Sequence, residues 1–214
     1  MAQSTNKVES SGKIGLSASK VVALIGALIA IQEAINYFYT AAGASLNILW
    51  GIIALIIAVY VFFSLDFIDL KKVHLLFNWW LLLIFGIALF IIDFFYSSQY
   101  LACTLFLIAF LLEFLGGKRN HVASKVVVLI GSGLAIYEAI MSFLGYSPNA
   151  SIVNSIFGII FALILILSLW NKVDIKVPFT WWVVLIGGFV IFTWLSPFSG
   201  TVIMVGFILI LMAY

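Results

Sequence analysis

The chain has 214 residues, of which 65% are hydrophobic and 8% charged, with a mean hydropathy of +1.29 and a formal net charge of +2. A soluble domain carries roughly 25% charged residues, so this composition cannot build a water-facing surface, and lipid must be the solvent for most of the chain. The single cysteine, Cys103, excludes an intrachain disulfide and says nothing of redox compartment.

Residues 1–17 are polar and are predicted to form a disordered cytoplasmic tail. The first apolar run, about Ser19–Tyr39, exceeds the roughly 7–15-residue core of a signal peptide. It also has a near-copy in mid-chain, where no cleavable signal belongs, so it reads as a retained transmembrane helix. Seven further runs follow: about Leu46–Leu65, Leu75–Tyr96, Gln99–Leu115, Ala123–Gly145, Ala150–Trp170, Phe179–Leu195 and Ser199–Tyr214. A span needs roughly 17–25 apolar residues, and the last run is the shortest. Helices are expected because a backbone in lipid must satisfy its own hydrogen bonds. A barrel would need polarity alternating every second residue, whereas these runs are continuously apolar. The predicted fold class is therefore all-α: a polytopic integral membrane protein with eight transmembrane helices, arranged as two tandem parallel four-helix repeats.

The repeat is carried by three matches. Ala18–Phe38 returns as Ala123–Phe143 with 14 of 21 positions identical, including Lys20/Lys125, Gly26/Gly131 and Glu33/Glu138. Asn47-x-x-x-Gly51-Ile52-Ile53 returns as Asn154-x-x-x-Gly158-Ile159-Ile160. Phe77-x-Trp79-Trp80, ending at Gly86, returns as Phe179-x-Trp181-Trp182, ending at Gly188. The expected division is a first unit at 18–115, a cytoplasmic linker at 116–122 and a second unit at 123–214. Four helices per unit is an even number, so both units enter from one side, with a pseudo-twofold along the membrane normal.

Charge placement yields the same topology. Lys7, Lys13, Lys20, Lys71, Lys72, Lys118, Arg119, Lys125, Lys172 and Lys176 all fall in the tail, in even-numbered connections or at their membrane edges. The positive-inside pattern then puts both termini in the cytoplasm of a multi-pass cell-membrane protein. Trp79, Trp80, Trp170, Trp181 and Trp182 lie toward cytoplasmic ends and Trp50 and Trp194 toward outer ends, as interfacial anchors would.

The candidate functional residues are acids inside apolar runs. Gly26, Ala30, Glu33 and Ala34 share one helical face, as do Gly131, Ala135, Glu138 and Ala139. A stripe of small residues lets another helix approach closely, so the glutamates point into protein. There each either carries its proton or is paired with a donor. Asn47 and Asn154, at the starts of the second and sixth helices, are candidate donors, with Gln32 adjoining Glu33. Asp93, toward the outer end of the third helix, has no acidic match in the seventh, which makes the two units unequal. Asp66, Asp69, Glu113 and Asp174 border cytoplasmic connections and read as surface ion-pair partners.

Enzyme classes lack their parts. His74 and His121 lie off the spans and on the cytoplasmic side, away from Ser98, Ser142 and Ser196, and no Gly-rich phosphate loop is present. No cofactor, metal or nucleic acid is expected. The expected partners are the lipid bilayer, further copies of the chain and other membrane proteins. The expected function is non-enzymatic, a helix-packing scaffold or accessory subunit of a membrane complex. The alternative is a small proton- or cation-linked transporter or channel using Glu33 and Glu138.

Overall fold

The computed structural model describes residues 17–40, 45–65, 76–96, 100–116, 122–145, 151–169 and 179–212. Among the described residues all regular structure is helical: α1 Ala18–Thr40, α2 Ser45–Ser64, α3 Trp79–Tyr96, α4 Leu101–Gly116, α5 Ala123–Phe143, α6 Ile152–Leu169, α7 Trp181–Val190 and α8 Pro197–Leu211. Each apolar run of the sequence becomes one helix. Four of them, α1, α2, α5 and α6, are long and apolar enough to cross a membrane. The other four are apolar but shorter, within Trp79–Phe94, Leu101–Leu115, Trp181–Leu195 and Pro197–Leu211. Most of the predicted cytoplasmic charges, together with Asp66, Asp69, Asp174, His74, His121, Ser98, Pro148, Trp170 and Pro178, lie outside the described residues.

Among the boundaries that differ from the sequence reading, two lie at the junction of α7 and α8. The last helix begins at Pro197, not Ser199. Ser196 caps it, its hydroxyl accepting from the Phe198 amide at 3.1 Å. Proline suits the first helical position because its missing N–H would have had no intrahelical partner there. Before this cap α7 widens into a π-helical turn, Ile191–Leu195. The Ser196 amide donates to the Ile191 carbonyl at 2.9 Å, a reach of five residues. Thr193 inside the turn donates its hydroxyl to the Phe189 carbonyl at 2.9 Å, which gives that carbonyl a partner while the ladder shifts register.

Packing follows the small residues. α1 lies against α2 and α4, and α4 against α3. α5 lies against α6 and α8, and α8 against α7. Gly26 permits the α1–α4 approach, since a Cβ there would sit 3.2 Å from Leu105 Cβ. Gly131 permits the α5–α8 approach more tightly, since a Cβ there would sit 2.7 Å from Ile203 Cγ1 and 3.1 Å from the Ile203 amide nitrogen. Ala30, Ala34, Ala135 and Ala139 are fully buried beside them. The larger buried cluster joins α1–α4 to Val127 of α5 and to Val202, Val205 and Leu209 of α8. A smaller one fills α5–α8 around Ala135, Leu165, Val184 and Ile203. The two ends of the chain therefore meet along α1, α5 and α8. Large apolar residues such as Leu28, Ile56, Ile84, Leu129, Phe189 and Leu211 face outward, a surface suited to hydrocarbon.

The two sets of four helices close differently. α2 barely touches α3, whereas α6 packs on both α7 and its π-helical turn. A Cβ at Gly51 would sit 3.2 Å from the Ala34 carbonyl of α1, whereas one at Gly158 would sit 2.6 Å from Leu195 of the π-helical turn.

Candidate functional site

Seven residues of helix carry Gly26 round to Glu33 on the same face of α1, and that face meets the beginning of α4. The first turn of a helix leaves amides without intrahelical partners and carries a partial positive charge, so a carboxyl group is favoured there. Glu33 is half-buried, and its Oε1 accepts from the Ala102 amide at 3.4 Å. Its Oε2 is buried and makes no hydrogen bond.

One turn further along α1, Tyr37 donates its hydroxyl to Asp93 Oδ1 at 2.7 Å. Asp93 is fully buried at the far end of α3 and lies close enough to Glu33 and Cys103 to act on both electrostatically. Cys103 is buried and donates its thiol to the Tyr100 carbonyl at 3.0 Å. That carbonyl also accepts the Thr104 hydroxyl at 2.7 Å and the Thr104 amide at 3.1 Å. These bonds hold Tyr100 at φ 50°, a left-handed conformation unusual for a bulky residue, immediately before α4. Three helices thus converge: α1 supplies Glu33 and Tyr37, α3 supplies Asp93, and α4 supplies Ala102 and Cys103.

A related arrangement surrounds Glu138. It is half-buried on α5, and its Oε1 accepts from the Ser196 hydroxyl at 2.7 Å. The Ser199 amide and hydroxyl face the same carboxyl group from the first turn of α8. Ser199 is fully buried, and neither its Oγ nor Glu138 Oε2 completes a hydrogen bond of full geometry. Ser196 therefore serves two elements at once, capping α8 and tying it to α5.

Asn47 is buried at the start of α2 and Asn154 half-buried near the start of α6. The donors that reach the two glutamates come from α4 and α8. Gln32 is exposed and lines the same cavity as Glu33. At the opposite end of these helices, Lys20 Nζ lies 5.7 Å above the Phe77 ring and Lys125 Nζ 5.7 Å above the Phe179 ring. Ser19 donates its hydroxyl to Glu113, so Glu113 joins α4 to α1.

Two cavities open beside the carboxyl groups. One, about 600 Å³, is lined on the α1 side by Gln32, Glu33, Asn36 and Tyr37 and on the other side by Phe192, Pro197 and Thr201. The other, about 380 Å³, holds Glu138 between Tyr100, Tyr137 and Ser196. Pro197 borders both, and each glutamate lines its own cavity. Among the described residues no three His, Cys, Asp or Glu side chains converge in a way that could hold a metal ion.

Tyr37, Ala102 and Ser199 join the site without having been singled out from the sequence, and Cys103 and Ser196 without having been assigned to it. Ser196-Pro197 carried a readable signal, a capping serine followed by proline at the first helical position. The Ala102 contact carried none, because every residue has an amide. No family model, curated protein or solved structure matches the chain.

Proposed function

We propose that the chain is an eight-span membrane protein of two tandem, parallel four-helix units, 18–115 and 123–214, joined by a cytoplasmic linker at 116–122. Both termini are cytoplasmic in this reading. The four shorter apolar helices complete the spans by lying nearly upright in the bilayer or by thinning it locally. Equivalent contacts in the two halves support the duplication: Lys20 over Phe77 and Lys125 over Phe179, Glu33 at the start of α4 and Glu138 at the start of α8.

Its proposed work is non-enzymatic, that of a helix-packing scaffold or accessory subunit associating with itself or with other membrane proteins. The observation that carries this reading is the use made of the two glutamates. Each commits one carboxyl oxygen to a donor at the start of the fourth helix of its half, which is how an intramembrane polar side chain serves as interhelical glue. Purification of the full chain in a mild detergent is the test. A stoichiometric partner or a defined homo-oligomer is expected, and a strictly monomeric protein with no co-purifying partner overturns it.

A second reading, proton- or cation-linked transport, is favoured by Glu33 lining the larger cavity with the fully buried Asp93 within electrostatic reach of it. Buried intramembrane acids are the default candidates for such work. Vesicles reconstituted with the protein separate the two. Cation- or pH-driven flux that vanishes in Glu33→Gln plus Glu138→Gln establishes transport, and its absence in the wild type removes that reading.

A further inference from the structure

The cavity beside Glu33 has the chemistry of a binding site for one organic cation. Its volume, about 600 Å³, falls within the roughly 300–1,000 Å³ of small-molecule sites. Among the described residues one carboxyl group, that of Glu33, lines it, together with the side-chain amides of Gln32 and Asn36. The Tyr37 and Phe192 rings border the same space, and Thr201 adds a hydroxyl. One acid, a few neutral oxygens and aromatic walls describe a pocket for an ammonium group carried on an apolar body. Aromatic faces attract such cations, and the attraction grows when water is excluded. A hard divalent ion would need six or more oxygens at close range and a far smaller space. Glu33 lines the cavity, and its carboxyl group holds a single hydrogen bond, from the Ala102 amide at 3.4 Å to Oε1, while Oε2 makes none, which leaves it able to serve as the counter-ion.

The neighbouring cavity supplies the internal contrast. Glu138 is also half-buried there and its Oε2 likewise makes no hydrogen bond, but its Oε1 takes the Ser196 hydroxyl at 2.7 Å, where Glu33 Oε1 has only the Ala102 amide at 3.4 Å, and Ser199 crowds the carboxyl group. The space is also smaller, about 380 Å³. Two acids at matching positions on α1 and α5 thus meet different surroundings.

We infer that the cavity between α1 and the α7–α8 junction binds a primary or quaternary organic ammonium, with Glu33 as its counter-ion and Tyr37 and Phe192 as its aromatic walls. The inference stands whether or not the chain acts as a scaffold. The ammonium is presented either by a free small amine or by the headgroup of a zwitterionic lipid.

The test uses the full chain in nanodiscs of phosphatidylglycerol alone, titrated with benzyltrimethylammonium and, as the neutral control, benzyl alcohol. Saturable binding by calorimetry is expected for the cation and not for the alcohol. Glu33→Gln should weaken it about tenfold or more, as loss of a charged partner implies, while Glu113→Gln, at the opposite end of α4, leaves it unchanged. Gln32→Trp fills the space from an exposed position with Glu33 intact, and it should also abolish binding. A parallel arm adds phosphatidylethanolamine to the nanodisc. Competition with the probe identifies a lipid headgroup as the occupant, and undiminished probe binding identifies a free amine. Equal binding of the neutral alcohol, retained binding in both Glu33→Gln and Gln32→Trp, or no binding of the cation to the wild type overturns the inference.

Discussion

Ser196 stands between Glu138 and the first turn of α8: its hydroxyl donates to Glu138 Oε1 at 2.7 Å while its oxygen accepts from the Phe198 amide at 3.1 Å. One side chain thereby sets where α8 begins and which helix it leans on. Removing it costs the cap, typically about 1 kcal/mol, together with the bond to a carboxyl group. Ser196→Ala is expected to destabilise the protein by about 2–3 kcal/mol in a detergent unfolding titration. Pro197→Ala, which leaves both bonds in place, should cost less than about 1 kcal/mol. Equal losses in the two variants would argue against the bridging role of Ser196.

Tyr37 and Asp93 make a similar link between α1 and α3. Tyr37→Phe removes a donor from a fully buried carboxyl group, which should cost about 1–3 kcal/mol. The same change made on an Asp93→Leu background should cost much less, because no acceptor remains to be stranded. A double-mutant cycle measures this directly, and a coupling energy near zero would show that the bond contributes nothing to the packing of α3.

The glycines of α5 make a sharper pair. A Cβ at Gly131 would press on Ile203, including its backbone nitrogen at 3.1 Å, whereas a Cβ at Gly133 would meet nothing within 4 Å. Gly131→Ala is therefore expected to loosen the α5–α8 contact, at about 1–3 kcal/mol. Gly133→Ala should be neutral or stabilising by up to about 1 kcal/mol, the helix-propensity gain of alanine over glycine. Thermal unfolding of the two single variants suffices to compare them. Gly200 belongs with Gly131, since it packs directly on the backbone of Phe192.

Cys103 is the chain's own reporter. It is buried, with its thiol held by the Tyr100 carbonyl. It should resist a maleimide in the folded protein and react once the protein is unfolded in strong detergent. On a Cys103→Ser background, Ser98→Cys and Lys118→Cys should then label from opposite sides of sealed vesicles if the proposed topology holds. Labelling of both from one side would overturn the even spacing of spans.

The helical class and the approximate position of each helix were legible in the chain from its continuously apolar runs. A continuous apolar run of this length has one way to satisfy its backbone, and polar residues interrupt the runs where they end. The small-residue faces of α1 and α5 were legible for the same kind of reason, since Gly26, Ala30 and Ala34 recur at helical spacing. Periodicity specifies a face, however, and says nothing of what lies opposite. The asparagines Asn47 and Asn154, at the starts of the next helices, were candidate donors. The structure brings Ala102 and Ser196 to Glu33 and Glu138, because α1 and α5 present these faces to the fourth helix of each set.

By itself, then, the sequence determined the apolar character of the helices, their order, and the position of each acid along its helix. Those follow from local composition and the geometry of one helix at a time. Only the tertiary structure decided that Asp93 stands next to Glu33, that each glutamate lines its own cavity, and that the larger cavity is walled by both halves of the chain. Such arrangements depend on which helices pack together and how closely. That is set by contacts between residues far apart in sequence, among them Gly26 with Leu105, Gly131 with Ile203 and Gly158 with Leu195.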